Sequence, residues 1–405
     1  MDFVPDTSPL DEQLASPQQL PAFHVGPRLS AKLTTVTLVA ICAVIVLHSG
    51  NLNSRLLTGH FRGKAPEAPA VAAAVEWLFS NALVRWAVPL LFALSGFLFA
   101  RDLVPSVRSF ARKYRSRART VLAPFLLWSA IGIALLALEG WSPLPGRLTD
   151  PAVARSLAHF DVLERWLRHP VTYPLWFLQA LLLCILVSPA LYVLVDRLGY
   201  VGLAPLVALW ALTRDGHGNY FDPLALTFFA LGMVVALRLR AGRWVPFTSA
   251  KDGGRRLATA LPPLFVAASV AYGATLRESD ASWAAVLYEG IMCLGVAAVW
   301  LGYDVYLRRW ESSRVVATLA PLAFFMFCAQ EPALHWYKRL FLVLTGGSRA
   351  GAGAVLVSYA LTPVATLVTV ALLGAALRAA IPPVYGLLTG GRGAPRSAAA
   401  RSAPR

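Results

Sequence analysis

Long apolar runs separated by short polar segments repeat along almost the whole chain. Most runs hold roughly 18–22 residues, which is enough for a helix to cross about 30 Å of hydrocarbon. The pattern predicts an all-α, polytopic transmembrane helix bundle of about ten helices, of which the fifth is short. The predicted helices cover residues 33–49, 78–100, 120–139, 173–195, 200–213, 222–239, 257–276, 283–304, 314–337 and 353–380.

Polar segments at the two ends delimit one transmembrane domain, residues 30–385, between disordered tails at 1–29 and 386–405. The first tail is acidic and Pro-rich and has no basic stretch before an apolar core, so we interpret it as a cytoplasmic tail rather than a signal peptide. The second is built from Gly, Ala, Ser, Pro and Arg. We find no internal repeat with interrupted helices, which disfavours an inverted-repeat transporter.

Basic residues concentrate in the loops 101–119, 238–256 and near 305–314, whereas the loop 140–172 mixes both charges. With an even number of helices, the three basic loops and both termini lie on one side. Loops rich in Lys and Arg stay in the cytoplasm, so this side is predicted to be cytoplasmic in a bacterial inner (plasma) membrane.

Composition supports the membrane interpretation, since 57% of the residues are hydrophobic and 14% are charged, against roughly 25% in soluble proteins. The net charge of +16 is explained by the cytoplasmic loops, so no nucleic-acid partner is expected. The four cysteines lie inside apolar runs without metal-ligand or disulfide spacing, and we expect no metal site. Those cysteines are Cys42, Cys184, Cys293 and Cys328.

Ionisable residues from distant parts of the chain are predicted at one depth, near the ends of their helices opposite the basic loops. Such residues are costly in a membrane and indicate function. The shared depth predicts one polar cavity, in which Glu289 pairs with Arg85 or His48. Alternatively, His48 and Glu139 are interfacial, and Arg85 reaches for lipid phosphate. The residues at this depth are His48, Arg85, Glu139, Glu289, Glu331 and His335.

A second group of charges lies in the loop before the third predicted helix. Positive-inside anchoring explains part of it, but the density of the charges also suits a phosphate-rich ligand or anionic lipid. We interpret this group as the binding site of a phosphate-bearing ligand. Its members are Arg112, Lys113, Arg115, Arg117 and Arg119.

The order of motifs resembles the integral-membrane acyltransferase type-three family, which O-acylates bacterial surface glycans. The similar segments are 44-VIVLHS-49, 85-RWAVPLLFALSGFLF-99, 112-RKYRSRARTVLAPFLLW-128, 174-PLWFLQALLL-183, 228-FFALG-232 and 323-AFFMFCAQEPAL-334. They span roughly residues 30–345 and agree with a ten-helix plan. The resemblance implies an O-acyltransferase that moves an acyl group, such as acetyl, to a hydroxyl of an exported glycan or glycolipid.

In that family the histidine of helix one is the general base, which implies this role for His48. Glu289, expected from its depth to pair with His48 or Arg85, is predicted as a second catalytic residue. The donor substrate implied is acetyl-CoA or a similar acyl-CoA, its phosphates at the basic group, and no bound cofactor is expected. Gly96 would let a bulky chain pass close to the backbone. The expected substrate cavity is formed by Arg85, Ser95, Gly96, Trp176, Gln330, Glu331 and His335.

Two positions depart from the family pattern. Thr37 stands where the family has an arginine, eleven positions before His48, and Lys32 is the nearest basic residue. Gln330 stands where a histidine often precedes Glu-Pro, with His335 as a possible substitute one turn on. Two alternatives therefore stay open: a transporter or flippase for a sugar or lipid, and a catalytically lapsed family member. Transfer is completed by the membrane domain itself or by a separate partner.

Overall fold

The computed structural model describes residues 26–50, 70–141, 173–213, 221–243, 252–276, 279, 281–345 and 351–393. The first tail up to residue 25, most of the loop 140–172 and residues 394–405 lie outside the described residues. Everything described is helix or connecting turn, which confirms the all-α prediction.

Fifteen α-helical segments form the described fold, several of them joined end to end. They are α1 Pro27–His48, α2 Ala70–Trp77, α3 Ala87–Ala100, α4 Val107–Arg117, α5 Ala123–Trp141, α6 Trp176–Leu186, α7 Ser188–Leu198, α8 Ala204–Leu212, α9 Pro223–Arg240, α10 Asp252–Thr275, α11 Ser282–Gly302, α12 Arg314–Leu319, α13 Ala323–Leu344, α14 Ala352–Ala380 and α15 Pro382–Thr389. The joining π-helical turns are Leu78–Leu83, Ala118–Leu122 and Tyr303–Leu307.

Within the described residues, nine helical stretches are long and apolar enough to cross a membrane, and α6 is a shorter apolar helix. This agrees with the prediction of a polytopic bundle of about ten helices. The predicted helix 173–195 is kinked rather than straight, because Pro189 near the start of α7 has no N–H to donate. Helical hydrogen bonds continue across the kink, from Val187 N to Leu183 O (3.0 Å) and from Leu191 N to Val187 O (3.2 Å). Gly199, with φ 57°, then turns the chain before α8.

The predicted loop 101–119 is mostly helical, because α4 begins at Val107. Ser106 caps it by accepting a hydrogen bond from Ser109 N (3.2 Å). The apolar side of this otherwise charged helix packs against α7, with Phe110 edge-on to Tyr192 at 6.1 Å. Three of the charges that suggested a loop, Arg108, Arg112 and Arg115, therefore lie on the solvent side of an amphipathic helix, while Lys113 and Arg117 are half-buried.

The tightest helix crossing joins α3 and α9, where two glycines bring the backbones together. A Cβ atom on Gly96 would collide with the Phe229 carbonyl, and one on Gly232 would collide with the Ala93 carbonyl. Small residues permit such close contact between membrane helices. The expectation that Gly96 leaves room for a passing ligand is therefore wrong, since that space is occupied by α9.

The described parts of the three basic loops lie at one end of the bundle, which we call the basic end. Lys32 at the start of α1 pairs with Asp304 after α11 (3.1 Å), and Arg240 at the end of α9 donates to Leu103 O (2.5 Å). Residues 386–393, predicted as tail, form the end of α15 and a turn at this same end. The opposite end, where α1 finishes, is called the His48 end.

Candidate active site

His48 is the last residue of α1, and neighbouring helices fix the backbone around it. Ser80, in the π-helical turn Leu78–Leu83, donates a hydrogen bond to Val46 O (2.9 Å). The Tyr359 hydroxyl on α14 lies 2.9 Å from the same Ser80 Oγ, and it donates that bond because the Ser80 hydrogen is already used. Two separate elements, this turn and α14, thus hold the end of α1 that carries the imidazole.

Charged groups converge around this end of α1. Lys338 of α13 and Arg85, in the turn before α3, both act electrostatically on His48. Lys338 also acts on Glu331 and on Glu76, a buried carboxylate of α2. The structure therefore brings together His48, Arg85, Glu331 and, through its interaction with Glu331, His335.

Sequence reasoning missed Glu76 and Lys338, which lie just outside the predicted helices 78–100 and 314–337. Glu76 Oε2 lies 4.0 Å from where a Cβ of Gly50 would be, two residues after His48. A signal for Lys338 was present, because Glu331, His335 and Lys338 are spaced i, i+4, i+7 and share one helix face.

Glu289 lies in the first half of α11, one turn before Cys293, on which it acts electrostatically. The hydroxyl of Tyr288 donates to Asn81 O (2.5 Å), which brings this part of α11 against the turn that carries Ser80. Arg85 acts on the same tyrosine. Glu289 therefore belongs to the His48 end, while its contact with the histidine stays a prediction; the side chain of Glu139 lies outside the described residues.

Gln330 and Trp176 contribute differently from the charged residues. Gln330 is fully buried in α13, where its Nε2 donates to Phe327 O (2.9 Å). Its Oε1 is buried and accepts no hydrogen bond within the described part of the chain. Trp176, at the start of α6, packs against Phe92 with ring centroids 6.3 Å apart.

A cavity of about 280 Å³ extends to the basic end, where Arg117 and Arg392 line it. Its walls are mainly apolar and come from α1, α3, α6, α9 and α13. Four polar or charged residues join the apolar lining, namely Thr37, Ser95, Arg117 and Arg392. The hydroxyl of Ser95 donates to Leu91 O (2.8 Å), so it presents an acceptor to the cavity.

Some members of the predicted basic group lie at this cavity and others are exposed to solvent. Arg117 lines it, and Lys113 Nζ lies 5.7 Å from the ring of Phe99, another lining residue. The remaining members, Arg112, Arg115 and Arg119, are exposed. Lys32 is directed to α11 instead, where its Nζ lies 4.5 Å from the Trp300 ring.

Two helices connect the cavity with the His48 end. In α1, Ile41 lines the cavity, and His48 follows seven residues later, about 10 Å along the axis. In α13, Phe327 lines the cavity and Gln330 and Glu331 follow within about one turn. A ligand that fills the cavity from the basic end would therefore point towards His48.

Comparison with known proteins identifies the family of this chain. Residues 36–374 match the family model of the type-three acyltransferase domain. The chain belongs to this acyltransferase family. The match includes the end of α1, the cavity wall of α3 and the charged face of α13, and it stops before α15.

A curated relative in this comparison is the succinoglycan biosynthesis protein ExoH of Rhizobium meliloti (strain 1021). It is 33% identical over 168 residues, which are 40% of this chain and 45% of the relative. The alignment thus spans less than half of the length of ExoH. No solved structure matches the chain.

Proposed function

We propose that this family member is a membrane O-acyltransferase that moves an acyl group, acetyl in the simplest case, from acyl-CoA to a hydroxyl of an exported glycan or glycolipid. One observation carries the proposal: α1 and α13 both pass from a cavity lined by Arg117 and Arg392 to a cluster of charged groups around His48. A long donor with a charged head and a reactive far end suits such a path.

The donor's phosphates are proposed to lie at the basic end, where Arg117 faces the cavity. Guanidinium groups bind phosphate through charge-assisted hydrogen bonds. The exposed Arg112, Arg115 and Arg119 attract the donor, or lipid headgroups, to the entrance. The apolar cavity walls then suit the slim arm that carries the thioester.

At the His48 end, the neutral imidazole is proposed to take the proton of the acceptor hydroxyl while that oxygen attacks the thioester carbonyl. The tetrahedral intermediate collapses, the C–S bond breaks, and the departing thiolate takes the proton back from His48. The products are an O-acyl ester and free coenzyme A, so atoms and charges balance.

Arg85 and Lys338 are the cations that act on His48, and we assign them to the oxyanion of the intermediate. Glu331 and Glu76 act on Lys338 and set its position and charge balance. Glu289 is proposed as a second catalytic carboxylate from α11.

The acceptor class rests on the comparisons. A relative named for succinoglycan biosynthesis favours a glycan acceptor. Because Lys- and Arg-rich loops remain in the cytoplasm, the basic end is proposed to face the cytoplasm of a bacterial inner membrane, with His48 near the other surface. The acceptor hydroxyl would then be acylated after export.

Replacement of His48 by Ala tests the proposal. Without the base, transfer of labelled acetyl groups to cell-surface glycan should fall by about 10²–10⁴-fold, while the amount of protein in the membrane is unchanged. Leu47→Ala, a truncation at the same helix end without an ionisable group, should retain transfer. Wild-type labelling by His48→Ala would refute the role of His48, and glycan movement without acyl-CoA would favour a transporter.

A further inference from the structure

The last described residues form a tight turn that is fitted into the basic end of the bundle. Gly390, Gly391 and Gly393 have φ of 60°, 82° and 67°, which side-chain-bearing residues rarely adopt. A Cβ on Gly390 would press on the Thr120 backbone, and one on Gly393 would collide with the Pro321 carbonyl. The turn is therefore seated between the start of α5 and the start of α13.

This turn places Arg392 in the wall of the cavity. The guanidinium donates from Nη1 to Thr120 O and to Thr389 O, and its Cζ lies 4.1 Å from the Phe324 ring centroid. Burial and the neighbouring charge of Arg117 lower the pKa of Arg392 to about 10. The side chain therefore stays charged at neutral pH.

Two cations thus face one cavity. Arg117 and Arg392 repel each other, and no carboxylate occurs among the described residues that line the cavity. Both hydrogen bonds of Arg392 to described residues leave from Nη1, so Nε and Nη2 retain donors for a ligand. An anionic group between the two guanidiniums would relieve the repulsion and use these donors.

We propose that Arg392 binds phosphate of the acyl donor together with Arg117, so that a segment beyond the family-matched residues 36–374 completes the donor site. This inference rests on the proposed function. Thr37 lines the same cavity and carries no charge, so the second cation is supplied by the C-terminal turn rather than by α1.

The test is acetyl-CoA binding to the full chain in phosphatidylcholine nanodiscs, which present no anionic lipid. Loss of a charge-assisted phosphate contact in Arg392→Ala should weaken binding by roughly 10–100-fold. Gly393→Ala should also weaken it, because the added methyl group displaces the turn. Arg256→Ala removes an exposed charge of α10 and is the matched control, with unchanged affinity expected.

Acetyl-pantetheine, which has no phosphate, separates a direct contact from a distorted site. If Arg392 binds phosphate, Arg392→Ala and the wild type should bind acetyl-pantetheine equally. Equal affinities of wild type and Arg392→Ala for acetyl-CoA would overturn the inference, as would an equal loss with both ligands. Failure of the wild type to bind acetyl-CoA would instead overturn the proposed function.

Discussion

At the scale of single residues, the position of His48 depends on several helices. The imidazole is carried by the last residue of α1. Ser80 holds that last turn through a hydrogen bond to Val46 O, and Tyr359 holds Ser80. The charges that act on the imidazole come from α13 and from the turn before α3. Changes in those helices are therefore expected to affect transfer as well as folding.

Glu76 and Lys338 form one electrostatic unit at this end, and removing one partner leaves the other uncompensated in a largely buried environment. Lys338→Met should lower the apparent stability, and Glu76→Gln in the same chain should restore part of it. The expected coupling is roughly 0.5–3 kcal/mol in a double-mutant cycle.

Thermal unfolding of the four proteins in one detergent measures this coupling. Strict additivity would show that the two groups do not interact. Glu331→Gln tests whether carboxylates compensate the charge of Lys338, because Glu331 also acts on Lys338 from the same face of α13.

The sequence predicted part of this site. His48, Arg85, Glu331 and His335 were grouped by depth, which follows from hydrophobic runs alone. Glu76 and Lys338 were missed because they lie one or two residues beyond the predicted helix ends, where apolar patterning is weakest. Arg392 could not be predicted, since a Gly- and Arg-rich terminus gives no sign of the cavity it packs against.

At the scale of helices, the α3–α9 crossing is a contact that hydrophobic periodicity does not predict. Gly96 lies in a run that is apolar on all sides, so nothing in the pattern identifies the face that meets α9. The sequence therefore predicted α3 and α9 but not their contact. The amphipathic α4 was missed for the opposite reason, because its charges outnumber the few aromatic residues that pack.

Gly96→Ala tests the crossing. The new methyl group would meet the backbone of Phe229, which cannot move without shifting α9, so the loss should be about 1–3 kcal/mol or more. Gly290→Ala is the matched control, because nothing lies within 4 Å of its Cβ position in α11. Unfolding in detergent should show a loss for Gly96→Ala alone, and equal stabilities would contradict the described contact.

At the scale of the whole molecule, the two ends of the bundle differ in chemistry. The basic end contains the Lys- and Arg-rich segments, the two arginines that line the cavity and the C-terminal turn. The opposite end contains His48 with its mixed charges. The sequence predicted that the basic loops share one end of the bundle. This prediction needs only the positions of the loop charges and no knowledge of helix packing.

The central claim is transfer from the basic end to the His48 end. Acetyl transfer across the membrane of sealed vesicles of known orientation tests it most directly. Labelled acetyl-CoA is supplied outside sealed membrane vesicles that contain the protein and its native glycan, with His48→Ala vesicles as the blank. Inverted vesicles, which expose the basic end if it faces the cytoplasm as proposed, should label glycan in their interior. Right-side-out vesicles should label glycan only after permeabilisation. Equal labelling of sealed vesicles in both orientations would contradict transfer from the basic end to His48.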